Sequence, residues 1–321
     1  MVLDSHFRIL FLHQGKFLLG EHGVQLFFVL SGFLITSQLI AQKSPNLKAF
    51  YIRRAFRILP VVICYLSVLL LILFLFRRPF VGSGIVSSAL FFRNYVSSIT
   101  PAGSLTGQFW SLSVEEQFYL FWPMLIFFFR RKAVWVAAAV VVISDALREF
   151  FPAYYSSHYM HTEVRADALL AGCVLAFALN HSKPRVFIRK YAHLILACAL
   201  VMFVIDCYRF AAFMPANESV AISLAMASTS LRPQMGASRL LESTPLRLIG
   251  KLSFSIYIWQ TLLLQPVWGR LWPLLLIVFV ALSYSLVETP MRNLGRFIVS
   301  TTPLSPQYWP VKGSVLRCPE N

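Results

Sequence analysis

The 321-residue chain predicts an all-α fold. The expected architecture is a polytopic transmembrane bundle of about ten helices, with a re-entrant or interfacial segment near residues 84–100. Three observations lead there. Hydrophobic residues make up 58% of the chain and charged residues 13%, against about a quarter charged in an ordinary soluble domain. Several apolar runs approach the ~20 residues that cross a bilayer. Those runs lack the alternation over about 10 residues that marks an outer-membrane barrel.

In chain order the apolar runs predict helices at 1–19, 23–41, 58–76, 114–129, 133–147, 165–181, 191–211, 217–234, 252–268 and 271–288. The first is the poorest crossing. It carries Asp4, Arg8, His13 and Lys16, and reads as a helix truncated at its N-terminus. The stretch 84–100 is short and is interrupted by Arg93 and Asn94. The N-terminus shows neither a basic region nor a cleavage motif, so no cleavable signal peptide is expected.

The net charge is +16, from 29 Lys and Arg against 13 Asp and Glu. In a soluble protein such an excess would suggest nucleic acid. Here the cations sit between apolar runs, in "YIRRAFRILP", "FRRK" and "KPRVFIRK", where orientation on an anionic leaflet explains them. No nucleic-acid partner is expected; the membrane lipid is. Loop 42–57, the turn Arg130, Arg131 and Lys132, loop 182–190, and Arg292 with Arg296 all fall on the cytoplasmic side if 84–100 does not cross completely. Both termini are then cytoplasmic. Residues 1–296 read as one transmembrane domain and 297–321 as a short cytoplasmic tail. The five cysteines contain no CxxC pair, so neither a disulfide framework nor a metal site is expected.

The polar residues inside these runs need explaining. In "FWSLSVEEQFYLFWPM", residues 109–124, Ser113 and Glu116 have the spacing of a capping box at a helix start. Glu115 has no such reading. It shares a helix face with Tyr119 and Trp122, and a charge deep in the membrane costs about 2.5–3.5 kcal/mol. It should face a wet bundle interior and a cation. In "TEVRADALLAGCVLA", Arg165 and Asp167 are two apart and cannot face each other, so each needs a partner elsewhere. Arg165 and Glu115 enter from the same side and could meet, as a structural ion pair more readily than as a catalytic one.

Arg53, Arg54 and Arg57 lie at helical spacing and repel unless an anion joins them. Guanidinium geometry suits phosphate. The anion is either the phosphates of a nucleotide-bearing co-substrate or lipid headgroups, and charge alone favours the lipid. His6 has the titration range of a general base, although a lone histidine near a helix end is more often structural. In "GVQLFFVLSGFLITSQL", Ser31 and Gly32 allow close helix packing; Ser31 could also donate to a substrate.

Six stretches, in order, resemble the membrane acyltransferase-3 family: "GVQLFFVLSGFLIT", "RRAFRILP", "FWSLSVEEQFYLFWP", "RADALLAG", "LIGKLSFSIYIWQ" and "SYSLVETPMR". The likeness runs from about residue 6 to 296. The family comprises bacterial integral-membrane enzymes that O-acylate cell-surface glycans and related acceptors, and it implies the bacterial inner membrane. It implies acyl-CoA, commonly acetyl-CoA, as co-substrate, with no permanently bound cofactor and a glycan or small-molecule hydroxyl as acceptor. By resemblance, His6 would activate that hydroxyl, and Arg53, Arg54 and Arg57 would hold the donor. Glu115, Glu116, Arg165 and Asp167 would be catalytic. Ser31, Trp110, Tyr119, Tyr257, Gln260 and Glu288 would line the substrate.

Two departures stand out. The basic residue that the family carries about ten positions before its first-helix histidine would precede Met1. The "IYIWQ" motif ends in Gln260 where histidine is common, and glutamine cannot shuttle a proton at neutral pH. The rival expectations are a non-catalytic polytopic protein, such as a glycan or lipid transporter, and an inactive truncated acyltransferase relative. A transporter of inverted repeats should show similar halves, and none are visible.

Overall fold

The computed structural model describes residues 19–42, 46–78, 82–96, 105–208 and 215–301. His6, nearly all of the predicted first span and most of the predicted tail lie outside the described residues.

The described residues contain helices and no strands. In chain order they form α1 (Leu19–Ile40), α2 (Leu47–Leu75), α3 (Gly82–Ala89), α4 (Phe109–Phe129), α5 (Ala133–Phe150), α6 (Pro152–Ser157) and α7 (Thr162–Leu179). There follow α8 (Ser182–Lys190), α9 (Ala192–Tyr208), α10 (Pro215–Leu231), α11 (Gly236–Leu241), α12 (Thr244–Leu263), α13 (Trp272–Leu282) and α14 (Thr289–Thr301). A π-helical turn, Ser283–Glu288, joins α13 to α14. The predicted span at 271–288 therefore continues through 301, into what was expected to be tail.

Two expectations at helix starts are corrected. The basic stretch 42–57 is not a loop: α2 begins at Leu47, and the Asn46 side chain accepts the Ala49 N–H at 2.9 Å. Once capped, the chain stays helical because Ala49, Ile58, Val61, Tyr65, Leu69 and Leu73 continue one buried stripe. Lys48, Arg53, Arg54 and Arg57 thus ride on the first turns of a helix about 43 Å long. The capping box at Ser113 does not form either. Helix α4 starts four residues earlier, at Phe109, after the turn that contains Gln108. Ser113 lies one turn inside, donating to the Phe109 carbonyl at 2.8 Å and accepting from the Arg93 N–H at 3.1 Å.

The expected re-entrant segment is short in the structure. Helix α3 has eight residues, about 12 Å of rise, and cannot cross a bilayer. A 3₁₀ turn, Arg93–Tyr95, follows it. Arg93 is buried, with its Nε donating to Thr106 at 3.1 Å and its Nη1 bonded to the Val96 carbonyl. The remainder, 97–100, lies outside the described residues.

The chain folds into two compact units. Among the described residues, the first unit draws on residues 19–20, 46–113 and 248–301 and the second on 21–42 and 114–247. The core of the first unit joins α2, the start of α4, and α12: Val61, Tyr65, Leu69, Phe109, Leu112, Ile258, Trp259 and Leu262 are all buried. Tyr65 meets Phe109 and Trp259 edge-on, each at 5.4 Å between ring centroids. At the junction before α13, Gly269 takes φ +51°, a left-handed backbone that a side chain would strain.

In the second unit α1 and α7 touch backbone to backbone. A Cβ on Gly32 would lie 1.8 Å from the Leu169 carbonyl oxygen, and one on Gly172 would lie 2.0 Å from that of Val29. The two glycines act reciprocally, as small residues do at membrane helix contacts.

Large apolar side chains cover much of the surface, including Ile63, Leu71, Phe74, Phe128, Trp135, Val142, Phe150, Leu274 and Ile277. So many large apolar side chains left outside the core suit lipid rather than water. Three described helices are long and apolar enough to cross a membrane unaided: 20–40, 47–75 and 267–301. A fourth candidate is the bent pair formed by α8 and α9, which meet at 81°. The other predicted spans are shorter or carry charged residues; α7 alone holds Glu163, Arg165 and Asp167. Those charges are the substance of the site.

Candidate functional site

In the second unit, the first turns of α1, α7 and α10 and the middle of α4 supply buried polar side chains. Glu115 is 1% exposed, a depth at which an unpaired carboxylate would be very costly. It is held by hydroxyls. Ser31 Oγ donates to its Oε1 at 2.7 Å, and Tyr119, one turn further along α4, donates to the same oxygen. Trp122, on the same face, stacks on Phe118 and donates its Nε1–H to Thr36 at 2.8 Å. The Ser31 hydroxyl, expected either to pack or to reach substrate, serves the glutamate. Glu116 is only half-buried, and its neighbour Gln117 accepts from the Thr162 hydroxyl.

Arg165 and Asp167 have separate partners. Arg165 donates from Nε to the Tyr159 carbonyl at 2.8 Å and from Nη1 to Gln25 at 3.3 Å, and its Nη2 lies 3.5 Å from Glu21. The expected meeting with Glu115 is replaced by these α1 contacts, because the first turn of α7 faces the first turns of α1. Asp167 pairs with Arg148 of α5 at 2.8 Å and accepts the Ala168 N–H at 2.8 Å.

Sequence reasoning missed the pair next to this group. His22 Nδ1 sits 2.8 Å from Glu218 Oε1, with both side chains at most 2% exposed. Alongside, Gln25 donates to Ser219 at 2.7 Å. Glu21, His22, Gln25, Arg165, Glu218 and Ser219 therefore form one polar layer across the N-terminal ends of three helices. The Glu218 Oε2 atom within it is buried and accepts no hydrogen bond. The only signal in the sequence was the presence of isolated polar residues within apolar runs at "GEHGVQ" and "ANESVA". A separation of 196 residues leaves no spacing to read.

In the first unit, Arg53 and Arg54 are half-buried and Arg57 is exposed on α2. Glu288, at the end of the π-helical turn, is buried and accepts from Ser255 at 2.9 Å. Arg292 Nη1 stands 3.8 Å from its other oxygen, and Arg57 is within electrostatic range of it. Glu288 thus neighbours Arg57 of the three arginines. π-turns recur at functional sites because the extra residue redirects a side chain. Tyr257 donates to the Gln108 carbonyl at 2.6 Å and hydrogen-bonds Ser111. Gln260 is buried with its Nε2 donor unmatched, as is Trp259 Nε1 beside it. Trp110 is half-buried one turn before Val114.

These features define a class: a multi-pass membrane protein whose apolar helices bury carboxylates against hydroxyl, guanidinium and imidazole partners. The chain belongs to the acyltransferase domain family, whose profile matches residues 1–287. It is similar to the peptidoglycan O-acetyltransferase OatA of Listeria monocytogenes, 29% identical over 86% of this chain and 52% of that protein. It is also similar to the O-acetyltransferase OatA of Staphylococcus aureus, 27% identical over 86% of this chain and 53% of that protein. The chain spans about half the length of the curated relatives it matches. No solved structure matches it.

Proposed function

We propose that the chain is an integral-membrane O-acyltransferase. It moves an acyl group, acetyl by likeness to its relatives, from cytoplasmic acyl-CoA to a hydroxyl of a cell-surface glycan or related acceptor. The observation that carries this reading is Glu115. A carboxylate buried in an apolar helix and held by Ser31 and Tyr119 is what an acceptor hydroxyl needs for orientation, and it lies within the stretch that matches the family.

In this reaction the acceptor oxygen attacks the thioester carbonyl carbon and a C–O bond forms. The C–S bond breaks, and coenzyme A leaves as a thiolate that takes up a proton. His6 receives the hydroxyl proton as general base. Arg53, Arg54 and Arg57 hold the donor's phosphates, for which forked guanidinium groups are suited. Glu288, paired with Arg292 and within electrostatic range of Arg57, offsets part of the positive charge gathered there. Arg165 and Asp167, with Arg148 and Glu21, fix the ends of the helices that carry the acceptor-side groups.

Deleting the gene in its native cell and measuring base-labile acetate on surface glycans tests the reading. Loss of acetate from one glycan, restored by the wild-type chain and not by a Glu115→Gln chain, supports it. An unchanged acetate profile across all glycan fractions overturns it.

A further inference from the structure

Away from these clusters, the second unit carries a groove of about 180 Å³ between the start of α5 and the end of α7. Its walls are Val134, Val174 and Phe177, and its rim carries Arg131, Asn180 and His181. We infer that this groove binds one anionic glycerophospholipid, with an acyl chain on the apolar walls and the phosphate at the rim.

Three observations converge on that occupant. The rim side chains are uncommitted: among the described residues, Arg131, Asn180 and His181 have no side-chain hydrogen bond or ion pair, although each carries donors. Helix α8 begins at the same rim, with His181 as its N-cap and no side-chain cap on its first amides. Helix N-termini left this way favour phosphate. The two chain stretches that form the rim are basic. Residues 129–135 hold Arg130, Arg131 and Lys132, residues 180–191 hold Lys183, Arg185, Arg189 and Lys190, and neither stretch contains Asp or Glu.

The nearby cations are not interchangeable. Arg185 is occupied, donating to the Leu179 carbonyl at 3.0 and 2.7 Å and so closing the end of α7. Arg131 stays at the groove mouth. A free phosphate would leave the apolar walls unfilled and a neutral lipid would leave the rim unmatched. A phospholipid with net negative charge satisfies both, and basic pockets between membrane helices bind such headgroups.

The test uses the full chain reconstituted in nanodiscs of phosphatidylcholine with a minor fraction of phosphatidylglycerol. After detergent extraction, the ratio of the two lipids that co-purify is measured. Wild type should retain phosphatidylglycerol well above its bulk proportion. Arg131→Ala should lower that enrichment about fivefold, and Lys190→Ala, an equal charge loss outside the groove, should lower it far less. Val174→Trp should abolish enrichment by filling the apolar wall while keeping the cations. Val134→Trp repeats that arm from α5, should the first variant fail to match wild type in size-exclusion profile. Equal losses in Arg131→Ala and Lys190→Ala would overturn the inference, since attraction would then be diffuse. So would enrichment that survives both tryptophan variants, or that is displaced by inorganic phosphate, since the site would then be a simple anion site.

Discussion

Ser31 and Glu115, 84 residues apart, meet across 2.7 Å inside the second unit, hydroxyl to carboxylate, with both side chains buried. Helices α1 and α4 are thereby registered by one hydrogen bond to a charge. Ser31→Ala leaves the carboxylate with one fewer donor, and a lost bond to a buried charged group costs about 1.5–3 kcal/mol. Thermal unfolding in detergent should show a lower midpoint. Glu115→Gln keeps the volume and a hydrogen-bonding oxygen but removes the charge. It should fold with a smaller loss than Ser31→Ala while acyl transfer falls by on the order of a hundredfold.

The His22–Glu218 pair makes a prediction of opposite character. Removing one partner of a buried hydrogen-bonded pair leaves the other unsatisfied at a cost of about 1–3 kcal/mol, whereas replacing both by apolar groups can be nearly neutral. His22→Phe alone should therefore lower the unfolding midpoint, and His22→Phe with Glu218→Leu should recover most of the loss. Unfolding midpoints of the two variants and wild type check this. Additive losses would show that the pair is not coupled.

Glycine substitutions should divide cleanly by position. Gly32→Ala would drive its Cβ into the Leu169 carbonyl, so the variant should fail to accumulate as a folded protein. Gly250 lies in α12 with nothing within 4 Å of a Cβ. Gly250→Ala should stabilise by about 1 kcal/mol, the difference in helix propensity. Expression level and unfolding midpoint in the same detergent distinguish the two.

The arginine group should act on donor affinity. Arg53→Ala, Arg54→Ala and Arg57→Ala should each raise the KM for acetyl-CoA about tenfold or more, with a smaller change in kcat. Salt should weaken donor binding most through the exposed Arg57. Equal KM values for wild type and the triple alanine variant, measured in membranes, would remove these residues from the donor site.

Much of the fold was legible because membrane helices announce themselves by length and apolarity. From 23–41 onward, each expected span meets a helix of the structure. The ends were less legible, since local chemistry decides them: Asn46 moved the start of α2 eleven residues upstream of the expected 58, and Phe109 rather than Val114 begins α4. In the site, residue types were readable and partners were not. Glu115 and Asp167 were recognisable as charges in need of company. Yet Ser31 and Arg148 became their companions through helix packing, which no local pattern encodes. His22 and Glu218 show the same limit more sharply, since neither sits in a motif.

Transfer of label from radiolabelled acetyl-CoA to a hydroxyl-bearing glycan, in membranes containing the full chain, tests the central claim most directly. Wild-type membranes should place base-labile label on the glycan, with coenzyme A released in equal amount, and Glu115→Gln membranes with equal protein should place almost none. Label transfer that is the same with wild type, Glu115→Gln and membranes lacking the chain would contradict the account.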